Sequence, residues 1–200
     1  MFDVLIIGGG AAGMQCALVL GSAAKKEFAA SKAMAIVLHQ KTSHLQTALF
    51  NNVLGIPIGT TGKQILEYGK QQLTDLYPEV IKIEKEKVQS ISEEEAFFNV
   101  ITNKSAYKSK IVVVAVGYTD LFSIKGLEEY RAPHPMAQPE KNRIWLKNEN
   151  YIIKPRLYVA GTLAGGRSQF AIAAGSGAQV ATDILTLWNN GKHVKIHDKI

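Results

Sequence analysis

Four short runs of consecutive apolar residues divide the chain. They are Val4-Leu5-Ile6-Ile7, Ala35-Ile36-Val37-Leu38, Ile111-Val112-Val113-Val114-Ala115 and Leu157-Tyr158-Val159-Ala160. Strands that helices cover on both faces show unbroken apolar runs, whereas strands with one solvated face alternate. The pattern therefore predicts that these four segments neighbour one another in a central parallel sheet.

Segments with helical apolar spacing lie between and after these runs. They are Met14 to Leu20, Lys63 to Leu76 and the small-residue stretch Phe170 to Trp188. Short β-prone segments separated by charged turns fill the middle of the chain, from about Val80 to Lys110. This order predicts the α/β class: a three-layer domain with a central parallel sheet and a smaller β-rich layer.

The first strand runs directly into a glycine motif, Gly8-x-Gly10-x-x-Gly13, within the segment DVLIIGGGAAG. Each glycine has its own physical reason: Gly8 permits the tight strand-to-helix turn, Gly10 lets a phosphate approach the backbone, and Gly13 lets the helix pack on the sheet. A strand before the motif and a helix after it are the context that the motif requires. The segment predicts a nucleotide pyrophosphate site at the positive end of the first helix.

Composition narrows the class of protein. Of the 200 residues, 46% are hydrophobic and 20% charged, which is typical of a globular chain with one substantial core. No apolar run reaches the length of a membrane helix, so we expect no membrane association and a cytoplasmic location. The net charge of +6 comes from scattered Lys and Arg residues without a dense basic run, which argues against nucleic acid as a partner.

Cysteine and histidine offer little further chemistry. Cys16 is the one cysteine, so the chain has neither a disulfide framework nor a Cys-x-x-Cys pair, and we interpret Cys16 as a buried packing residue. His193 and His197 are four residues apart, but they lie in a charged tail, and we predict no metal site. For His134 and Tyr118 we favour surface loops over contact with a cofactor.

The order of these segments resembles the flavin domain of the thioredoxin reductase group, within the FAD-dependent pyridine nucleotide-disulfide oxidoreductases. The resemblance spans nearly the whole chain. Besides DVLIIGGGAAG, the segments that carry it are 51–57 (NNVLGIP), 62–66 (GKQIL), 112–117, 124–126, 158–161 (YVAG), Ser168-Gln169 and 174–178 (AGSGA). The resemblance implies a Rossmann-like FAD/NAD(P)-binding fold and FAD as the cofactor.

The resemblance also implies a role for individual positions. The residues predicted to contact FAD are Gly8, Gly10, Ala11 and Gly13 at the pyrophosphate, Val88 by the adenine, His39 and Gln40 at the adenosine ribose, Asn52 beside the isoalloxazine, Gly117 along the cleft, Gly161 and Thr162 at the ribityl chain, and Gln169 with the amide of Phe170 at the flavin's pyrimidine edge. The sequence identifies no catalytic residue.

At two positions this chain departs from the family pattern in a way that is expected to weaken FAD binding. The family has an acidic residue at the end of the second strand, where this chain has His39 followed by Gln40. It has Gly-Asp in its last motif, where this chain has Gly161-Thr162. Neutral groups still form hydrogen bonds at these positions, but without the strength that a charge adds.

A third departure concerns domain organisation. Family members insert an NAD(P)H domain between two halves of the FAD domain, whereas only about 17 residues, 127–143, join the halves 1–126 and 144–200 here, fewer than a second nucleotide fold needs. We expect a single FAD-binding domain whose reductant is free NAD(P)H or a partner reductase, and a homodimer is left open.

Two alternative functions remain open from the sequence. The glycine motif could hold NAD(P) itself, although the flavin-type motif near the C-terminus argues against this. The domain could also be a degenerate, non-catalytic cofactor-binding or sensing module, an alternative motivated by His39, by Thr162 and by the missing dithiol relay.

Overall fold

The computed structural model describes residues 1–39 and 43–197. The helices are α1 (Ala11–Ser22), α2 (Gly62–Leu76) and α3 (Phe170–Trp188). The strands are β1 (Phe2–Ile7), β2 (Met34–Leu38), β3 (Leu49–Phe50), β4 (Thr60–Thr61), β5 (Val80–Glu84), β6 (Val88–Glu93), β7 (Phe98–Thr102), β8 (Ala106–Val114), β9 (Arg131–Pro133), β10 (Ile144–Leu146), β11 (Ile152–Lys154) and β12 (Leu157–Val159).

The four apolar runs lie side by side, as the sequence predicts. Within the described residues the main sheet has eight strands, and its central path runs β11-β12-β8-β1-β2-β5. β1 pairs in parallel with β2 and with β8, and β12 pairs in parallel with β8. The α/β fold with a central, mostly parallel sheet is thereby confirmed.

The sequence-based division between the central sheet and the β-rich layer is wrong in two places. β5 does not belong to the β-rich layer, because it pairs in parallel with β2 and ends the central sheet. Residues 105–110 and 111–115 are not separate strands either: β8 is continuous, pairing antiparallel with β7 through its first half and parallel with β1 through its second. The charged start of β8 disguised this continuity, since that half has one solvated face.

The central strands bury both of their faces. On one face Val4, Ile6 and Ile36 pack with apolar residues of α1 and α3. On the opposite face Leu5 and Ile7 pack with residues from β6, β7 and the segment around β9 and β10. Successive side chains of a strand point to opposite faces, so two apolar cores require unbroken apolar runs.

The connector between the two halves is folded onto the second core. Its strand β9 forms an antiparallel hairpin with β10, which directly follows the connector. Leu127 and Leu146 are fully buried in this core, and Ile144 is nearly so. The polar composition of residues 127–143 hides this packing, because the loop between β9 and β10 supplies most of the polar residues of that segment.

Helices α1 and α3 approach each other closely. A Cβ atom added at Gly177 would lie 2.0 Å from the carbonyl oxygen of Ala12, which no real contact allows, so α3 needs glycine there. The buried face of α3 includes Val180, Ile184 and Leu185. The backbones of the two helices therefore touch near the start of α1.

Helix α3 is also long and apolar enough to cross a membrane, with 19 residues and a mean hydropathy of 1.3 over its most apolar window. From the sequence we expect no such helix. A core helix has the same length and composition, and α3 packs on α1 in the first core. These features alone are weak evidence of a membrane span.

The close approach of α1 and α3 gives a stability prediction. We expect Gly177→Ala to destabilise the protein by about 1–3 kcal/mol, because the new methyl group overlaps a backbone carbonyl that cannot move independently. The matched control is Gly175→Ala on the same helix, where an added Cβ meets nothing within 4 Å. Alanine favours helix over glycine, so the control should be stabilised by up to about 1 kcal/mol. Urea unfolding measures both, and equal effects would contradict this packing.

Candidate functional site

A cavity of about 770 Å³ opens where the parallel strands β1, β8 and β12 end. The chain leaving each strand contributes to its lining, and so do the first residues of α1 and α3. These residues are Gly8, Gly10 and Ala11 after β1, Ala115, Val116 and Gly117 after β8, Ala160, Gly161 and Thr162 after β12, and Gln169 and Phe170 at α3. In open α/β sheets ligands bind outside the carboxyl ends of the strands. We call this space the main cavity.

Gly8 and Gly13 are required by the backbone itself. Gly8 has a φ of 115°, and a Cβ atom there would lie 2.3 Å from the carbonyl oxygen of Ala115. A Cβ at Gly13 would lie 1.9 Å from the carbonyl oxygen of Gly8. These two glycines hold α1 against the turn after β1, but Gly13 does not itself line the main cavity.

Glycine is needed at position 10 for a different reason. Its φ of −79° suits any residue, and a Cβ atom there would meet nothing closer than the Ser43 hydroxyl at 3.9 Å. Gly10 is the N-cap of α1 and supplies no side-chain cap, and the first turn contains no acidic residue. The positive end of α1 therefore faces a space that a side chain would fill and that a phosphate fits.

The end of the main cavity farther along the sheet is lined by His39 and Val88. His39 follows β2 and is half-buried, and Val88 begins β6 and is buried. Both residues therefore line the same cavity as the glycine motif, and their contact with the adenosine part of a dinucleotide stays a prediction. Gln40, also predicted at the ribose, lies outside the described residues.

Hydrogen bonds fix the loop after β12. The Gly161 amide donates to the Ser176 hydroxyl at 2.7 Å, and that hydroxyl donates to the carbonyl of Ala173. The carbonyl of Thr162 accepts a hydrogen bond from Nε2 of His134 at 2.9 Å. The loop is thus tied to α3 on one side and to the connector on the other.

Gln169 caps its own helix, which the sequence analysis did not anticipate. Its side-chain oxygen accepts hydrogen bonds from the amides of Ala171 and Ile172, at 2.6 and 3.2 Å. Two donors at the start of α3 are therefore already used. Glutamine is not among the residues preferred at the N-cap, so no sequence pattern indicated this cap.

A second cavity of about 630 Å³ adjoins the main cavity. Gly10, Ala11, Leu45 and Phe170 line both. The ring of Phe170 packs edge-on against Phe50, with 4.9 Å between centroids. The loop after β3 forms the far wall, and its Leu54 and Ile58 side chains are exposed.

Asn52 lies in this same exposed loop and lines neither cavity. Its amide neighbour Asn51 is engaged locally, accepting a hydrogen bond from the amide of Gly59 at 2.9 Å. The structure therefore does not bring Asn52 to the other predicted residues, and its contact with a flavin stays a prediction.

Four side chains form a cluster at the rim of the main cavity: His44, Tyr118, His134 and Arg143, which we call the rim cluster. Tyr118 follows β8, and its ring meets His44 and His134 edge-on, with 5.6 and 5.3 Å between centroids. The guanidinium carbon of Arg143 lies 5.1 Å from the centre of the same ring. Burial, and then the nearby charge of Arg143, lower the pKa of His44.

The expectation of a surface loop for His134 is wrong, because its side chain is buried. Its Nδ1 accepts from the amide of Met136 and its Nε2 bonds the Thr162 carbonyl, which defines a neutral ring with the proton on Nε2. Tyr118 likewise lines the main cavity instead of lying on a free loop. Only the folded connector brings His134 and Tyr118 into contact.

Comparison with known proteins agrees with this geometry. Residues 2–147 match the family model described as pyridine nucleotide-disulphide oxidoreductase. No curated protein matches the chain.

Solved structures with the same fold include several reductases. A thioredoxin reductase from Gloeobacter violaceus is 16% identical with a TM-score of 0.73, and the match covers 100% of this chain and 98% of that one. A putative thioredoxin reductase from Bacillus anthracis is 16% identical, with a TM-score of 0.70 and coverage of 95% and 99%. A ferredoxin-flavin thioredoxin reductase from Clostridium acetobutylicum is 16% identical, with a TM-score of 0.68 and coverage of 94% and 98%. At this identity the likeness shows the fold.

The one thiol of the chain lies outside both cavities. Cys16 is fully buried in the middle of α1 and packs within the first core. Burial raises the pKa of its thiol, because the charged thiolate has lost its solvation. Cys16 is therefore a packing residue of the folded protein, with no neighbouring thiol.

This burial predicts how Cys16 reacts. In the native protein at pH 8 we expect an aromatic disulfide reagent to modify Cys16 at least about a hundredfold more slowly than in urea, because a raised pKa and burial both suppress the reactive thiolate. The rate of release of the coloured thiol measures this. Rapid modification of the folded protein would show that the thiol is accessible and would contradict a packing role.

Proposed function

The chain belongs to the pyridine nucleotide-disulphide oxidoreductase family, and we propose that it is a flavoprotein that binds FAD and transfers electrons between the flavin and an external donor or acceptor. The main cavity supports this proposal most directly. It connects the open N-terminus of α1 at Gly10 with His39 and Val88 in one direction and with Gly117, Thr162 and Phe170 in the other. A dinucleotide with groups on both sides of a pyrophosphate has this layout.

Different residues around the main cavity would bind different parts of FAD. The backbone at Gly8, Gly10 and Ala11 would bind the pyrophosphate through N–H groups and the positive end of α1. His39 would accept or donate a hydrogen bond at the adenosine ribose, beside Val88 at the adenine. Thr162 would bond the ribityl chain through its hydroxyl.

The flavin itself would supply the redox chemistry when bound, and the chain would set its surroundings. Phe50 and Phe170 pack against each other where the two cavities meet and exclude water from that wall. The N-terminus of α3 places positive potential near the cavity, which favours negative charge there. Because Gln169 already accepts from two of its amides, the Phe170 amide is the donor left for the cavity in this arrangement.

Electrons must reach and leave this site without a thiol relay within the chain. The sequence has one cysteine, and Cys16 is buried in the first core. One thiol cannot form an intramolecular disulfide, so we propose that this chain does not itself reduce a protein disulfide as thioredoxin reductases do. Free NAD(P)H or a partner reductase remains our proposed donor.

The far half of the main cavity favours FAD over NAD(P) as the ligand. A site for NAD(P) alone needs the glycine motif after β1, but the lining here continues through the loop after β12 to α3. A degenerate module without catalysis shares this geometry, so it is separated from a flavoenzyme by electron transfer to an acceptor. A cytoplasmic location, the absence of nucleic-acid and membrane partners, and a homodimer remain predictions.

Gly10→Val tests the pyrophosphate site. A side chain at Gly10 would occupy the space in front of α1, and its Cβ would come no closer than 3.9 Å to the Ser43 hydroxyl, so we expect FAD binding to weaken at least about a hundredfold with little change in stability. Quenching of FAD fluorescence in titrations of the apoprotein measures the affinity, and urea unfolding measures the stability. Parallel titrations with NAD⁺ and NADP⁺ test the alternative ligand.

The control for this experiment is Gly175→Val on α3, where an added Cβ also meets open space but far from the glycine motif in sequence. FAD should bind this control as it binds the parent. If Gly10→Val also binds FAD as tightly as the parent, the pyrophosphate does not lie at α1, and tighter binding of NAD(P)⁺ than FAD would favour the alternative.

Restoring the family's carboxylates should tighten FAD binding. His39→Glu and Thr162→Asp each replace a neutral group lining the main cavity with an acceptor whose charge-assisted bond is about twice as strong. We expect each to lower the dissociation constant for FAD by about tenfold. Gln46→Glu, which adds the same charge in the short helix after residue 43, is the control for charge alone. No gain from either variant would mean that the pocket has been reshaped for another ligand.

A further inference from the structure

Arg143 carries the one buried side-chain nitrogen or oxygen atom, among the described residues, that has no hydrogen-bond partner. This atom is Nε of its guanidinium group. The ring of Tyr118 beneath the guanidinium stabilises its charge, but a ring face accepts an N–H group only weakly. Native proteins seldom leave a buried donor unpaired, so this nitrogen indicates a missing acceptor.

The backbone holds Arg143 in this position. It forms a β-bridge with Thr119, and the amide of Ile144 donates to the carbonyl of Tyr118 at 2.9 Å. The carbonyl of Arg143 in turn accepts from the amide of His134. Main-chain bonds on both sides therefore hold the backbone of Arg143 beside Tyr118, and the guanidinium lies over the Tyr118 ring.

The surroundings of Arg143 provide no counter-charge. Within residues 1–39 and 43–197, none of the ion pairs includes Arg143. His134 uses both ring nitrogens elsewhere, and His44 has its pKa lowered partly by the charge of Arg143. The rim cluster thus combines an unpaired donor with uncompensated positive charge.

We propose that the rim cluster binds the oxyanion of a small molecule, a carboxylate or a phosphate group, with Arg143 as the principal donor. Guanidinium groups bind such oxyanions through paired N–H groups. Arg143 itself lines neither cavity, but its side chain is only partly buried and lies over the ring of Tyr118. Tyr118 and His44 line the main cavity, so we propose that the ligand approaches the guanidinium from there. This site goes beyond the proposed FAD site, whose own phosphates we place at Gly8 to Ala11.

The test uses the purified, isotopically labelled protein and nuclear magnetic resonance. The Arg143 Nε–H signal and the amide signals of Tyr118 and Thr119 are followed while inorganic phosphate, or acetate in a separate series, replaces chloride at constant ionic strength. We expect these signals to shift and saturate with at least one anion. Saturation by phosphate alone assigns a phosphate group, and saturation by acetate assigns a carboxylate.

Two variants separate a specific site from general charge. Arg143→Gln should weaken binding by about tenfold or more, because it removes the charged donor. Lys141→Gln removes the same charge from an exposed position of the same connector and should leave the affinity unchanged. If Arg143→Gln does not fold, Arg143→Lys, which keeps the charge but loses the paired geometry, should show weaker binding than the parent.

Three results would overturn the proposal. The first is a parent protein whose rim signals do not saturate with either anion. The second is an equal loss of affinity in Lys141→Gln, and the third is a response confined to Gly8, Gly10 and Ala11, which would place the anion at the glycine motif. Because the titration follows rim residues in the absence of flavin, its failure is distinguishable from failure of FAD binding.

Discussion

The structure depends on backbone contacts around the first turn of α1. On one side Gly13 lies against the carbonyl of Gly8, and on the other Gly177 of α3 lies against the carbonyl of Ala12. A methyl group at either glycine would overlap main-chain atoms, so the distance between α1, the turn after β1 and α3 is set by glycine. Since close packing leaves no other arrangement, the N-terminus of α1 is held at the edge of the sheet.

This constraint creates the main cavity. With α1 fixed against the turn after β1, the first residues of α1 and α3 line the cavity together with the chains that leave β1, β8 and β12. Gly10 keeps the space in front of that turn open, although its own backbone would accept another residue. The same helix that buries Cys16 in the core therefore presents its positive end to a ligand. The twelve residues of α1 thus contribute both to the core and to the proposed ligand site.

Sequence patterns predicted the parts of the fold that local burial alone determines. The bounds of α3 are those expected, and the four apolar runs neighbour one another, because burial on both faces leaves an unbroken apolar run. β5 was assigned to the wrong layer, since its alternation does not specify a partner strand. The continuity of β8 was missed because its two halves face different surroundings.

In the candidate site, too, the sequence predicts what depends on local geometry and misses what depends on contacts between distant segments. Gly8, Gly10 and Gly13 follow from local geometry, and the structure gives each one a contact or a space that explains it. The rim cluster could not be predicted, because His44, Tyr118 and Arg143 come from separate segments that only the folded connector brings together. Gln169 was expected to face the ligand, but its side chain also caps α3, and no pattern distinguishes these uses.

The amount of flavin that the protein retains tests the central claim most directly. Purified protein is incubated with excess FAD, passed through gel filtration, and its visible absorption spectrum is compared with its protein concentration. We predict a flavin spectrum with close to one FAD per chain, and we expect the protein to lose its yellow colour when an electron donor reduces the flavin anaerobically. A colourless protein that also fails to bind FAD in equilibrium dialysis would contradict it.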